Sequence, residues 1–500
     1  MINVLSVDNM RKSDAYTIAN YTPSKELMFR AGQGVYESVL WKPPVAIVCG
    51  SGNNAGDGYV IAKLLFDAGV KCHIFLLSEK FSDDGKYYFD ACKDAGISVD
   101  IWEEGTKLSE YQTIVDCIFG TGFKGTVRGA AREVIETINA SNAYVVSVDI
   151  NSGLNGDNGM AELCVHSDIT VSVGGFKSGH FLNMAKDVMK NKINCDIGIE
   201  PVEKPYSLVS ADDIGTVIKP RSNYSNKGTY GYIALIGGSK RFTGAIRLAE
   251  MANAAMRAGA GVVKLAVPHS LYNIVAPSIL ESTIFPLSDN GEELIFNEKE
   301  LKELISNVKT IAFGMGIGTS QEALKVLEYI LQNFDGKLIV DADGLSLLSL
   351  LREDEFKCAK PSLILTPHIK EFSKLTGKSI EEILDNPIVA AEEYAVKTEA
   401  IVLLKGSSTI VTDGNETYIV DAGCAGMATA GSGDVLSGVL SAVLAFSSDL
   451  LIGTASAAYI NGKAGELAQK RNGSITMIAS DTVSCIRDCV CELEGANKSE

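Results

Sequence analysis

Short apolar runs that break into a glycine-rich loop and then a helical pattern recur along the whole chain, and this alternation limits the fold more than any other feature. Val45 to Cys49 runs into Gly50-Ser51-Gly52-Asn53-Asn54-Ala55-Gly56-Asp57-Gly58, and YVIAKLLFDAG follows with helical periodicity. VKCHIFLL, QTIVDCIFG and AYVVSVDI repeat the strand, with DGKYYFDACKDAG and AAREVIETINAS as the intervening helices. Alternating strands and helices imply a parallel sheet with right-handed crossovers, so the chain reads as α/β. In such sheets ligands gather at the carboxyl ends of the strands. Residues 1–40 read as mostly helical.

At 500 residues the chain is too long for one core, and two domains are expected. Pro201, Pro205 and Pro220 mark a stretch with little apolar periodicity, so the boundary is placed near 205–212, with domains 1–208 and 209–500. Beyond it the alternation resumes in GYIALIGG, AGVVKLAVP, VKTIAFGMGIG, KLIVDADGL, SLILTPHIKEF and IVLLKGSSTIVTDG, with FTGAIRLAEMANAAMRAG read as one long helix.

The formal net charge of -17 argues against a nucleic-acid partner, since no basic stripe would displace counterions. The 11 cysteines are scattered and odd in number, and none is spaced as a zinc site, which suits a reducing cytoplasm. No secretory signal is expected in MINVLSVDNMRKSDAY, and no membrane span is expected. The Ala-rich stretch from Val435 to Ile460 is broken by Ser447-Ser448-Asp449 and reads as two buried helices.

Three loops of the first half follow strands and converge: 50–58, 116–126 and 149–153. The first is not a G-x-G-x-x-G fingerprint, but its paired asparagines suit a loop bent around a ligand. Gly120-Thr121-Gly122-Phe123-Lys124-Gly125 offers amides and one lysine to a phosphate. Asn54, Asp116 and Ser152 supply oxygen but no soft ligand, a set for a monovalent hard cation, although a lone aspartate there also caps helices. In the second half the stretch Cys424 to Gly438 turns through Gly431-Ser432-Gly433 into an apolar run. A helix that starts on such a turn offers unpaired N–H groups and a positive dipole end to an anion. Asp434 at its mouth either takes a proton or faces a metal, or is only a helix N-terminal residue. Lys405 contacts phosphate or solvent, His368 is a site residue or a structural one, and Asp341 and Asp343 hold magnesium or cap a helix.

GSGNNAGDG, VDCIFGTGFKG and VDINSGL closely resemble the epimerase domain of the NAD(P)H-hydrate repair enzymes, over about the first two hundred residues. The resemblance implies a Rossmann-like domain that interconverts the R and S epimers of hydrated NADH or NADPH with bound potassium. It puts Asn53, Asn54, Ala55, Gly56 and Asp57 on the hydrated nucleotide, with Gly120, Thr121, Gly122, Phe123, Lys124, Gly125, Thr126 and Asp149, the last as a catalytic residue. It puts Asn54, Asp116 and Ser152 around potassium. Ala55 stands where that family usually has Gly, and Asn151 where it usually has Pro.

KGTYGYIALIGGS, FTGA, RAGAG, FGMGIG, DADGL, LTPH, LKGSST and GMATAGSGDVLSG resemble the ADP-dependent dehydratase domain of the same system, which is ribokinase-like. The resemblance implies that Ala245, Gly316 or Gly318, His368 and Asp434 contact the hydrated nucleotide. Lys405, Gly406, Ser407, Ser408 and Thr409 would hold ADP, with Cys424, Ala425, Gly426, Met427, Ala428, Thr429, Ala430, Gly431, Ser432 and Gly433. Met315, Ile369-Lys370 and Ala430 depart from the usual Pro, Pro-Gly and Gly. The implied chemistry is dehydration of the S epimer at the expense of ADP, giving AMP and phosphate. Asp434 is the base, magnesium accompanies the nucleotide, and a cytoplasmic homo-oligomer, a tetramer or larger, is the family habit. A ribokinase-type small-molecule kinase would use the same loop and aspartate but leaves the first half unexplained. A non-enzymatic nucleotide sensor with degenerate sites is opposed by the intact Asp434, His368 and Lys405.

Overall fold

Every residue of Val45–Cys49 (β1) is buried, so both faces of this strand are covered and its neighbours run parallel to it. The protein is described here from a computed structural model covering residues 1–251, 257–352, 356–357 and 359–496. It divides into two units, Asn3–Tyr206 and the chain from Ser207 onward with Met1–Ile2.

In the first unit β1 is followed by β2 (Cys72–Leu76), β3 (Ser98–Ile101), β4 (Thr113–Cys117), β5 (Tyr144–Val148), β6 (Ile169–Val173) and β7 (Lys192–Cys195). The sheet order is β3-β2-β1-β4-β5-β6-β7, all parallel. This is a doubly wound sheet whose order reverses between β1 and β4, the crevice where ligands bind. Period-two alternation divides β1 between two cores: Ile47 and Cys49 pack with Leu27, Val35 and Tyr59, whereas Ala46 and Val48 pack with Ile114, Val134 and Ile135. Helices Val7–Asn20 and Ser24–Ser38 fill much of residues 1–40, as the sequence predicts, but Ile2–Leu5 is a strand. Its Val4 and Leu5 pair parallel with Phe176 and Lys177.

The second unit carries β8 (Tyr232–Ile236), β9 (Val262–Pro268), β10 (Thr283–Leu287), β11 (Thr310–Phe313), β12 (Lys337–Val340), β13 (Ser362–Leu365), β14 (Ile401–Leu404), β15 (Thr409–Thr412) and β16 (Thr417–Val420). Their order is β10-β9-β8-β11-β12-β13-β14-β15-β16, parallel through β14 and antiparallel in the last two pairings. The expected long helix after the Gly237-Gly238 loop is Thr243–Glu250, and residues 252–256 of that expectation lie outside the described residues.

Two helices cover the Ala-rich stretch, Ser432–Phe446 and Leu450–Asn472, as its composition predicts. The first buries Val435, Val439, Leu440, Val443 and Leu444 completely. Each such side chain removed from water stabilises the unit by roughly 1.5–3 kcal/mol. Its carboxyl end is held by Lys337 Nζ, which donates to Ser447 O at 2.7 Å and to Leu444 O, a cation placed where the helix dipole favours it. Among the described residues no helix is long and apolar enough to cross a membrane.

Candidate active sites

At the β1/β4 crevice of the first unit lies a cavity of about 520 Å³. Of the predicted residues, Asn53, Asn54, Asp57, Gly120, Thr121, Gly122, Phe123 and Asp149 line it. The loop predicted over 50–58 ends early, because the helix Asn53–Asp67 begins at the first asparagine. Its glycines serve close packing, not a turn. A Cβ on Gly56 would lie 2.5 Å from Met28 Sδ, and one on Gly58 would lie 2.8 Å from Cys117 Sγ. Ala55 therefore sits in a first helical turn, buried, where alanine is the best helix former and no glycine conformation is required. Ala55 and Gly56 face inward and do not border the cavity, and neither do Lys124, Gly125 or Thr126. Lys124 Nζ instead lies 3.8 Å from Asp157.

Asp149 ends β5 in a left-handed conformation, φ 65°, rare for a residue with a side chain. Burial opposes its charge, but the Lys177 ammonium paired with it and the Val173 amide hold its carboxyl below the usual range. Asp57 is pushed well above that range by burial, then by the charges of Asp149 and Asp14, with Lys177 pulling the other way. Asp14 is raised by burial, and it lines the same cavity with Arg11 and Lys177. The sequence reading missed these three, since Arg11 and Asp14 lie on a helix far from any motif and Lys177 follows an unremarked strand.

Asp116 lies within β4, not in the loop, and is fully buried. Burial raises its pKa against the hydrogen bonds it accepts from Ser152, Ser147 and the Ile118 amide. Ser152 Oγ accepts from Phe119 N at 2.8 Å, and Asn54 Nδ2 donates to Phe119 O at 2.9 Å, so the three predicted cation ligands meet around one residue. Asn54 Oδ1 is buried with no hydrogen-bond partner, an oxygen whose desolvation calls for a cation. Asn151 replaces a rigid turn by hydrogen bonds. Its amide donates to Val165 O, Ser167 Oγ and Val188 O at 2.8–3.1 Å and accepts from Thr170 Oγ1. A larger cleft of about 1150 Å³, lined by Lys42, Gln112 and Tyr144 at the amino ends of the strands, holds none of the predicted residues.

In the second unit Gly431 takes φ 91° as the cap of the helix Ser432–Phe446, and a Cβ there would lie 2.3 Å from Leu248 Cδ1. Glycine is thus required at 431, whereas Ala430 is exposed, keeps a negative φ and adds no strain. Val435 N is the first amide to bond back along this helix, to Gly431 O at 3.1 Å, so the N–H groups of Gly433 and Asp434 point out of its amino end. Beside them Asp341, 2% exposed, closes β12. It accepts from Ser437 Oγ at 2.7 Å, Thr366 Oγ1 at 2.8 Å and Lys405 Nζ at 3.0 Å. These three bonds fix the Asp341 carboxylate at the carboxyl end of β12. Asp343 Oδ2 likewise accepts from Gly318 N at 2.9 Å, which ties that loop to the helix Asp343–Leu348. Burial, then the charges of Asp341 and Asp343 against the pull of Lys405, pushes Asp434 up to about 7. That value suits a general base near neutral pH.

Gly316 packs against Phe242 and Ala245: a Cβ there would lie 3.0 Å from Ala245 Cβ. His368 caps the helix Ile369–Thr376, its Nδ1 accepting from Glu371 N at 3.1 Å, while half its side chain stays exposed. Its Nε2 lies 3.5 Å from Glu371 Oε1. Lys405 N bonds to Pro367 O, which sets His368 beside Lys405. Gly406 and Ser407 are exposed at the β14–β15 turn, and Ser408 is fixed by Asp421 at 2.7 Å. Of the 424–433 stretch, Gly426 N is taken by Gln469 Oε1 at 2.8 Å, and Cys424 Sγ faces Gly465 O. The amides left for an anion are therefore those at the helix start. Met315 is fully buried in the main core.

Residues 233–487 match the family model described as NAD(P)H-hydrate dehydratase, and residues 24–179 match that of the YjeF-related protein N-terminus. The chain is 33% identical to the bifunctional NAD(P)H-hydrate repair enzyme Nnr of Archaeoglobus fulgidus, covering 93% of each chain. It is 31% identical to the enzyme of the same name from Thermofilum pendens, over 94% of this chain and 93% of that one. Among solved structures, an ADP/ATP-dependent NAD(P)H-hydrate dehydratase from Bacillus subtilis, co-crystallised with ATP and Mg2+, superposes with a TM-score of 0.51 at 23% identity. It covers 58% of this chain and 99% of its own, a likeness of fold.

Proposed function

The chain belongs to the family of bifunctional NAD(P)H-hydrate repair enzymes, and from that premise we propose that its first unit epimerises hydrated NADH and NADPH while its second dehydrates the S epimer. The reading is carried by Asp434, a half-buried carboxyl beside the free amides of a helix start, with Lys405 and Asp341 behind it.

Hydroxide is a poor leaving group, so the hydroxyl at C6 of the damaged ring must first be phosphorylated. Asp434 takes its proton while the oxygen attacks the terminal phosphorus of ADP, and AMP leaves. The Gly433 and Asp434 amides and the Lys405 ammonium stabilise the transferring phosphoryl group. The lone pair of ring N1 then expels phosphate, and loss of a C5 proton restores the reduced nicotinamide. Magnesium would neutralise the nucleotide phosphates. Asp341 and Asp343, after β12, would offer it carboxylate oxygens beside the hydrogen bonds they accept. In the first unit Asn54 Oδ1, Asp116 and Ser152 fit potassium, which would complete the unpartnered amide oxygen. A cytoplasmic location and a homo-oligomeric assembly are part of the same proposal and rest on the family resemblance alone.

Incubation of both NADH hydrate epimers with ADP and magnesium, followed by absorbance of the reduced ring, tests the proposal. Recovery of both epimers is expected. Recovery of the S epimer alone removes the epimerase, and no recovery with ADP unchanged removes the dehydratase. A persistent phosphorylated product would mark a small-molecule kinase instead.

A further inference from the structure

The geometry points to Lys177 as the positioning residue of the epimerase site, an ammonium sealed beneath the cavity that holds the Asp149 carboxylate charged and aimed at the hydrated ring. The inference rests on the epimerase reading of this unit.

Lys177 is 1% exposed, and a buried ammonium persists only when its donors are used. Its Nζ pairs with Asp149 Oδ1 and donates to Val173 O at 2.8 Å, with Ser172 Oγ at 3.5 Å. The same short segment grips the backbone of Asp149. Lys177 N donates to His180 Nδ1 at 2.9 Å, which leaves Nε2 as the donor to Asp149 O at 2.7 Å. Burial, with Lys177 beside it, lowers His180 to about 4, so it is a neutral clamp and not a competing cation. Asp149 is thus fixed twice in a left-handed conformation that its own sequence disfavours.

The groups facing Asp149 are Lys177 and His180 from this segment, Asp57 from the helix Asn53–Asp67, and Asp14, with Arg11, from the helix Val7–Asn20. Asp57 and Asp14 are raised, Asp149 is lowered, and Lys177 is the buried cation among them. Without it, three carboxyls would share one cavity and the neutral form of each would be favoured. With it, Asp149 is pulled toward its charged form while burial pushes Asp57 and Asp14 toward their neutral forms.

Epimerisation at C6 needs one carboxyl in each form, because the carbon carries both ring N1 and a hydroxyl. The N1 lone pair forms the N1–C6 double bond as the C6–O bond breaks, and the Asp57 carboxyl gives its proton to the departing hydroxide, which leaves as water. A water on the opposite face then bonds to C6, the double-bond pair returns to N1, and the Asp149 carboxylate takes the proton released. Asp57 regains a proton and Asp149 loses one through solvent, so no oxidant or co-reactant enters.

The test uses the full chain as Lys177→Met, with circular dichroism and limited proteolysis of the Asn3–Tyr206 unit as the control of folding and ADP-dependent dehydration of pure S epimer as the control of the second unit. Epimerisation kcat is expected to fall by ~100-fold with little change in KM, and the acid limb of its pH profile to move up by about one unit or more. In Lys177→Ala, added ethylammonium is expected to restore part of the rate. Should Lys177→Met not fold, Lys177→Arg keeps the charge, and its acid limb should stay at the wild-type position while kcat falls. Wild-type kcat in Lys177→Met overturns the inference. So does a loss of rate in folded protein with an unmoved acid limb and no amine rescue, or an acid limb that shifts in Lys177→Arg. A wild-type chain that dehydrates the S epimer yet never converts the R epimer overturns the epimerase reading itself.

Discussion

The two units build their sites from the same parts, an aspartate at a strand or helix end, two further carboxyls and a lysine, and reach opposite electrostatic results. In the first unit the lysine pairs directly with Asp149 and holds it below the usual carboxylate range. In the second, Lys405 is drawn 3.0 Å from Asp341, and the carboxyl left facing the site, Asp434, rises to about 7. The difference matches the tasks proposed for them. A phosphoryl acceptor must be deprotonated by a base whose proton affinity is near that of the medium. Exchange of water at a carbinolamine carbon is served by a fixed charge beside a neutral acid. Which carboxyl the lysine takes decides the chemistry, more than which residues are present.

The sharpest way to break this comparison is Asp434→Asn. Dehydration of the S epimer is expected to fall by ~10³-fold or more while ADP binding and epimerisation persist, measured by rate on each epimer and by ADP titration. Near wild-type turnover would remove the base assignment. Next, Asp341→Asn removes the negative neighbour and frees Lys405. Dehydration should fall by about 10–100-fold, and the acid limb of its pH profile should move below its wild-type position near pH 7, because a charge that raises Asp434 is gone. An upward shift would contradict the arrangement.

Protonation also reaches stability. Asp434 is raised in the folded chain, so the folded state binds the extra proton and stability falls as pH rises from the ordinary aspartate range to about 7, then levels. The melting temperature of Asp434→Asn should therefore exceed that of wild type by a margin that grows from pH 4 to pH 7 and stays constant above. A margin largest at pH 4 would reverse the sign. Replacing potassium by lithium should slow epimerisation several-fold and leave dehydration unchanged, since Asn54 Oδ1 belongs to the first unit alone. Smallest, Asn151→Ala should cost ~1–3 kcal/mol by removing the buried bonds to Val165 O, Val188 O and Thr170 Oγ1, of which Val188 O and Thr170 keep Ser167 as a partner, read by denaturant unfolding.

Much of this was legible in the chain. Apolar runs of five residues before glycine loops located β1 and β4, and Gly431-Ser432-Gly433 located the helix start, because backbone conformation there is a local property of residue type. Local reading failed where a glycine had a distant reason. Gly56 and Gly58 looked like loop formers and are instead close-packing positions against Met28 and Cys117. For His368 the structural alternative was legible, since its capping bond to Glu371 is an i, i+3 pair.

By itself, then, the sequence determined the alternating architecture and the glycine turn that opens the helix Ser432–Phe446, since each rests on neighbours a few positions apart. Only tertiary structure decided the partners. Lys177 meets Asp149 across 28 positions, Lys405 meets Asp341 across 64, and Ser437 meets Asp341 across 96. A charge's effect depends on distance and burial, and both are set when the sheet closes, which no local pattern encodes.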